Sequence, residues 1–114
     1  MNIAAIENLR PVTILVRASR SQGITRCYAS DVLSDVLAKA PRGALLLTVQ
    51  AHPVSVAVAA QAGILAILYT DGQTPDEETI RRAQSADITI GVTPLDSFDA
   101  AGHLWGQGLR GASR

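Results

Sequence analysis

One cysteine, one lysine and four aromatic residues are all that 114 positions hold of those types, and each scarcity removes a class of function. Cys27 stands alone and cannot close an internal disulfide. Lys39 is the only lysine and no G-x-x-x-x-G-K-[ST] loop surrounds it, so the phosphate cradle of a P-loop enzyme is missing. A G-x-G-x-x-G turn is missing too, which leaves a dinucleotide cofactor without support. The two histidines, His52 and His103, do not sit at a metal-ligand spacing such as H-E-x-x-H, so neither a zinc nor an iron site is expected. No cofactor is identified by any of these patterns.

Aromatics make up 4% of the chain, too few for platforms that stack bases. Acidic and basic residues number 10 each, so no excess charge points to nucleic acid or to an anionic membrane. The longest apolar stretch, from Val54 to Tyr69, is interrupted by Gln61 and Gly63 and falls short of the roughly 20 residues that span a bilayer. No early segment joins positive residues to an apolar run and a small-residue cleavage site, so the cytoplasm is the expected compartment. A chain of 114 residues is the size of one domain, here residues 1–114, with a core of Ala, Val, Ile and Leu. That core offers limited apolar area, and pairing of two copies is the expected way to bury more.

What is present alternates between strand and helix signals. Val12 to Val16 and Ile24 to Ala29 read as strands around the turn Ser19-Arg20-Ser21-Gln22-Gly23, while the first ten residues define little. Between Asp31 and Ala40 the residues Val32, Leu33, Val36 and Leu37 recur at helical spacing, with Ser30 or Asp31 as cap and Pro41 and Gly43 as stops. Ala44 to Gln50 reads as a strand covered on both faces. Pro53 to Ala62 reads as a helix from its proline start, its alanines and Gly63 at its end, although Val54, Val56 and Val58 also alternate as a strand would.

Ile64 to Tyr69 is the next strand, turned by Thr70-Asp71-Gly72-Gln73. Thr74-Pro75-Asp76-Glu77 reads as a capping box, with Glu77–Arg81 and Glu78–Arg82 as ion pairs along the helix that follows. Ile88 to Val92 is a last strand, and Thr93-Pro94-Leu95-Asp96 repeats the same start. Leu95, Phe98, Gly102, Trp105 and Leu109 mark one face of a terminal helix, Trp105 being a core or dimer anchor, and the tail after Gly108 is expected to fray. Such alternation predicts an α/β protein of three layers, α/β/α, around a mainly parallel sheet.

Polar residues gather where these strands end, which is where open α/β sheets collect ligands. Ser30-Asp31 and Ser34-Asp35 are four residues apart and would stack on one helix face, as caps or as a ligand surface. Thr48, Gln50 and His52 alternate, so in an extended strand end they point to one side, just before a helix N-terminus able to hold an anion. The other reading of His52 is as a cap for that helix. Thr70, Gly72 and Thr93 follow the later strands and complete the candidate ligand set. A Cys27–His52 nucleophile pair is the enzymatic alternative, against which stands the ordinary reading of Cys27 as a small buried hydrophobe.

The segments Tyr28-Ala29-Ser30-Asp31-Val32-Leu33-Ser34-Asp35-Val36, Gly43, Thr48-Val49-Gln50-Ala51-His52-Pro53, Thr70-Asp71-Gly72-Gln73-Thr74-Pro75-Asp76-Glu77 and Thr93-Pro94-Leu95-Asp96-Ser97-Phe98 resemble the DRTGG domain over roughly residues 24–108. The final third is also similar to the N-terminal domain of HPr kinase/phosphorylase. The turn that corresponds to the family's signature reads Thr70-Asp71-Gly72-Gln73 here. The resemblance implies a regulatory module without catalysis of its own, of a kind found attached to phosphotransacetylases and CBS-domain proteins and also standing alone. Residues and resemblance together lead to a regulatory or scaffold module, expected as a homodimer, that binds a small anionic ligand or a protein partner at the strand ends. A structural subunit of a larger complex is a further alternative.

Overall fold

Two runs of unbroken apolar sequence, each ending in threonine or tyrosine, become the centre of a sheet because both of their faces are covered. In the computed structural model, which describes residue 6 and residues 9–19 and 23–113, these are β3 (Leu45–Thr48) and β4 (Ala66–Tyr69), every residue of them buried. The other described strands are β1 (Thr13–Val16), β2 (Cys27–Ala29) and β5 (Thr89–Val92), and the helices are α1 (Leu33–Lys39), α2 (Pro53–Ala62), α3 (Glu77–Ala86) and α4 (Ser97–Gly106). The sheet runs β1-β5-β4-β3-β2. Strands β2 to β5 are parallel, with Cys27, Leu45, Ala66 and Thr89 side by side, and β1 joins β5 antiparallel.

Because β2, β3, β4 and β5 are neighbours in chain order, each crossover moves one place in the same direction, and crossovers of one hand put their helices on one face. That face holds Leu46, Ile67, Tyr69 and Ile90 against Val36 of α1, Val56 and Ala59 of α2 and Ala83 of α3. Leu45, Leu47, Ala66 and Leu68 point the other way, against Ala100 and Leu104 of α4 and against Ile6 and Leu9. The expected α/β/α layers are therefore present, three helices on one side and α4 with Ile6 and Leu9 on the other. Gly91 makes the second layer fit: a Cβ there would stand 3.2 Å from Leu68 Cδ1 and 3.3 Å from Ile6 Cγ2.

Several local expectations shift. Helix α1 begins after Val32, which makes no side-chain cap, so Ser30 and Asp31 lie outside the helix and do not stack on Ser34 and Asp35. The physical reason is that the carboxylate of Asp31 is drawn to the end of β3, where it accepts from Thr48 Oγ1 at 3.0 Å and from the Val49 amide at 2.9 Å. Helix α3 is capped by Asp76, not by Thr74, and α4 by Asp96, not by Thr93. Helix α2 spans the expected Pro53–Ala62 and closes on Gly63 at φ 76°, but His52 at its start makes no side-chain cap bond.

The terminal helix is turned differently from its sequence pattern. Ala100 and Leu104 are its buried residues, while Phe98 is 85% exposed and Trp105 58% exposed. Trp105 is thus no part of the protomer's core. Beyond it the chain is held rather than frayed: Leu109 is buried, and Arg110 lies beside the start of β2, accepting from the Cys27 amide at 2.8 Å and donating its own to Thr25 O at 3.1 Å. Of the turn expected between the first two strands, Arg20, Ser21 and Gln22 lie outside the described residues, as do residues 1–5, 7 and 8 of the first ten.

Candidate functional site

Four parallel strands deliver four loops to one end of the sheet, and β1, running the other way, brings Pro11 to the same end. At the β2–β3 side Asp31 is the organising group. Besides the two bonds to its carboxylate, its carbonyl accepts from Gln50 Nε2 at 3.0 Å, and the Gln50 amide donates to Thr48 Oγ1 at 3.2 Å. Thr48, Gln50 and Asp31 are therefore joined, but to each other. Ser30 bends the chain beside them, its hydroxyl accepting from the Val32 amide at 3.1 Å.

His52 is exposed and stands apart from Thr48, which is fully buried. The helix N-terminus that follows is partly spent already, since Pro53 has no N–H and the Ser55 amide and hydroxyl both donate to His52 O, at 3.0 and 2.7 Å. Because the Ser55 hydrogen is given to that carbonyl, Tyr69 donates to Ser55 Oγ across 2.7 Å. Burial pushes the Tyr69 hydroxyl up to about 12, and the nearby Asp76 carboxylate adds to the rise.

At the β4–β5 side Thr70 and Thr93 are buried, their hydroxyls turned to Asp71 Oδ2 at 3.1 Å and to Pro11 O at 2.5 Å. Gly72, at φ 70°, follows Asp71 at φ 58°, so two successive left-handed residues turn the chain and allow the Gly72 amide to donate to Thr93 O at 3.0 Å. A cleft of about 150 Å³ opens here between Pro11, Val12 and Thr13 and the residues Gly72, Thr93 and Pro94. Ser34 and Asp35 stand away from it in α1, where Asp35 pairs with Lys39 at 3.9 Å.

The sheet order explains why the cleft among the described residues at this end is small. Parallel strands that follow one another without reversal have no switch point between them, so the loops meet on a shallow surface. That surface is acidic, a property the balanced net charge hides. Asp31, Asp71, Asp76, Glu77, Asp96 and Asp99 all follow strands or begin helices at this end, with the basic residues His52 and Arg10 beside them. Arg17, Arg26, Lys39, Arg42 and Arg110 collect at the opposite end with Asp87.

The Cys27–His52 pair does not form. Cys27 begins β2 beside Leu45, whereas His52 comes four residues after β3 has ended at Thr48, so the two stand at opposite ends of strands about 10 Å long. Burial pushes the Cys27 thiol up to about 12, the reverse of what a nucleophile needs. Among the described residues no group of three His, Cys, Asp or Glu side chains is placed to hold a metal ion. No described helix is long and apolar enough to cross a membrane.

No protein-family model and no curated protein matches the chain. Among solved structures it is similar to the CBS and DRTGG domains of the regulatory region of Clostridium perfringens pyrophosphatase, a crystal structure complexed with the activator diadenosine tetraphosphate. The TM-score is 0.71 at 17% identity, over 90% of this chain and 43% of that one. This chain thus spans less than half of its structural neighbour, and what the two share is the fold of part of a regulatory region.

Proposed function

We propose that this chain is a DRTGG-related regulatory or scaffold module, acting without catalysis of its own, whose partner docks on the C-terminal ends of its parallel strands. One observation carries the reading most directly: the polar side chains that reach this end are bonded within the protein, Thr48 to the Asp31 carboxylate and Gln50 and Thr93 to the backbone carbonyls of Asp31 and Pro11, rather than held ready around a reacting atom. A surface pre-organised in this way presents a fixed relief, which suits recognition. Its carboxylates favour a protein partner that brings basic side chains. A homo-oligomer and a cytoplasmic setting complete the proposal.

A small anionic ligand is the second reading, supported by the neighbour's nucleotide activator. The test puts both to the same protein. Asp71→Asn keeps a residue type that accepts the left-handed conformation while removing a charge, and Asp99→Asn removes another at the start of α4. If a protein partner docks here, affinity capture from the protein's own cells recovers one partner with the parent, releases it with salt, and recovers several-fold less with the double variant. If a nucleotide or acyl phosphate raises the melting temperature instead, and the double variant binds it more tightly, the second reading holds. The absence of both effects would overturn the proposal.

A further inference from the structure

The outer side of α4 leaves two large apolar side chains uncovered. Phe98 and Trp105 are two of the chain's four aromatic residues, both exposed, and seven residues apart they lie two turns apart along one side of the helix. Arg110 stacks on Trp105, its guanidinium carbon 3.7 Å from the ring centroid, and donates to Trp105 O at 3.1 Å. Beside it a groove of about 240 Å³ runs between α4 and β2, lined by Cys27, Ala29, Ala101, Leu104 and Trp105. Acidic and basic residues on this side are divided along the helix: Asp96 and Asp99 at its start, His103 in its last turn and Arg110 just beyond its end.

A surface divided in this way complements itself. If a second helix of the same sequence crosses antiparallel, the acidic start of each lies against the basic end of the other, and the two helix dipoles oppose. A two-fold axis through Gly102 sets Phe98 of one copy, four residues before the axis, alongside Gly106 of the other, four residues after it, and next to the groove at Trp105. Nothing in the protomer needs the glycines there, since a Cβ on Gly102 or Gly106 would meet no atom within 4 Å. We propose that two copies of this chain form a two-fold dimer by packing α4 antiparallel on α4. The proposal rests on the homo-oligomer part of the preceding reading and gives it a surface.

The chain's single tryptophan reports on this face. Light scattering of the full chain across a concentration series is expected to rise from 12.0 kDa towards twice that mass, with Trp105 emission moving to the blue at the same midpoint. Phe98→Glu and Gly102→Leu are expected to stay monomeric, with a red Trp105 emission at every concentration. Both keep the parent's circular dichroism and its melting temperature at low concentration, because in the protomer one side chain is exposed and the other position is open. A parent that stays monomeric up to millimolar concentration overturns the dimer altogether. Variants that dimerise like the parent move the interface to another face and overturn α4 while leaving the homo-oligomer intact. A monomer whose Trp105 emission is already blue, or turns blue only with a foreign protein, assigns the face to another occupant and also overturns the proposal.

Discussion

Tyr69 shows at the scale of one residue how burial and bonding set a pH response. Its hydroxyl, last in a fully buried strand, donates to Ser55 and is pushed up to about 12 from 10.0 chiefly by burial. The unfolded chain therefore releases this proton first, and stability falls as pH rises from 10.0 towards 12. Cys27, raised from 9.0 to about 12, adds a fall of the same sign that begins nearer pH 9. Tyr69→Phe is expected to lose about 1 kcal/mol at neutral pH with its hydrogen bond, and yet to lose less than the parent between pH 10 and 12. Urea unfolding across that range checks it, and parallel curves for the two proteins would refute the assignment. Little of this was legible beforehand: that Tyr69 ends a buried strand can be read from the sequence, but not that Ser55, 14 residues away, turns its hydroxyl to meet it.

Helix starts show at the scale of elements what the sequence pattern placed well and what it displaced. Both Thr-Pro-x-x and Thr-Pro-x-Asp segments begin a helix, as their residue types imply, but the cap falls on Asp76 and Asp96, each accepting an amide three residues on at 2.8 Å. Thr93 is bound to the sheet end instead, through Pro11 O, and Thr74 reaches back to Gly72 O in its own loop at 3.5 Å. A strand must clear the sheet before a helix can fold back over it, and local capping rules do not contain that distance. In the same way α4 presented two apolar faces in sequence, and only its position over Leu45 and Leu47 decides that Ala100 and Leu104 are the buried ones. The Asp76 carboxyl is held below its usual value of 3.8, first by the Thr79 hydroxyl and then by the Thr79 amide. Its stabilising effect is complete above the unfolded value and disappears as pH falls through the lower folded one. Asp76→Asn keeps an acceptor at the cap but is expected to flatten the acid side of the stability curve. Thermal melting from pH 5 down to about 2 measures this, and an unchanged acid slope would remove Asp76 from the explanation. Asp96→Ala, with no acceptor at all, is expected to cost about 1 kcal/mol at neutral pH.

At the scale of the whole molecule, strand direction turns a neutral composition into a molecule with two poles. Arg26 precedes β2 and Arg42 precedes β3, whereas Asp31 follows β2 and Asp71 follows β4, so parallel strands carry bases to one end and acids to the other. This was within reach of the sequence, because charge sign correlates with position along each strand, but a net charge of zero conceals it. The layers and the parallel sheet were legible in the apolar periods. The antiparallel place of β1, which brings Pro11 to the strand ends and lines the cleft there, was not, since nothing local fixes which edge a first strand joins. The poles carry a consequence for ligands. An anion approaching the molecule is repelled by the six carboxylates at the strand ends and drawn to the opposite end, where a cleft of about 400 Å³ is lined by Arg26, Lys39, Pro41, Ala112 and Ser113. Inorganic triphosphate at low salt is therefore expected to shift the amide resonances of Arg26, Lys39, Arg42 and Ser113 and to leave residues 48–53 and 70–73 in place. The shifts should fade by physiological ionic strength, where the Debye length is about 8 Å. Arg26→Gln with Arg42→Gln should weaken them several-fold, while His52→Ala should not. Shifts centred on His52 and Gly72 would instead show that the strand ends bind anions despite their carboxylates, and the field of the whole molecule would not be what selects the ligand.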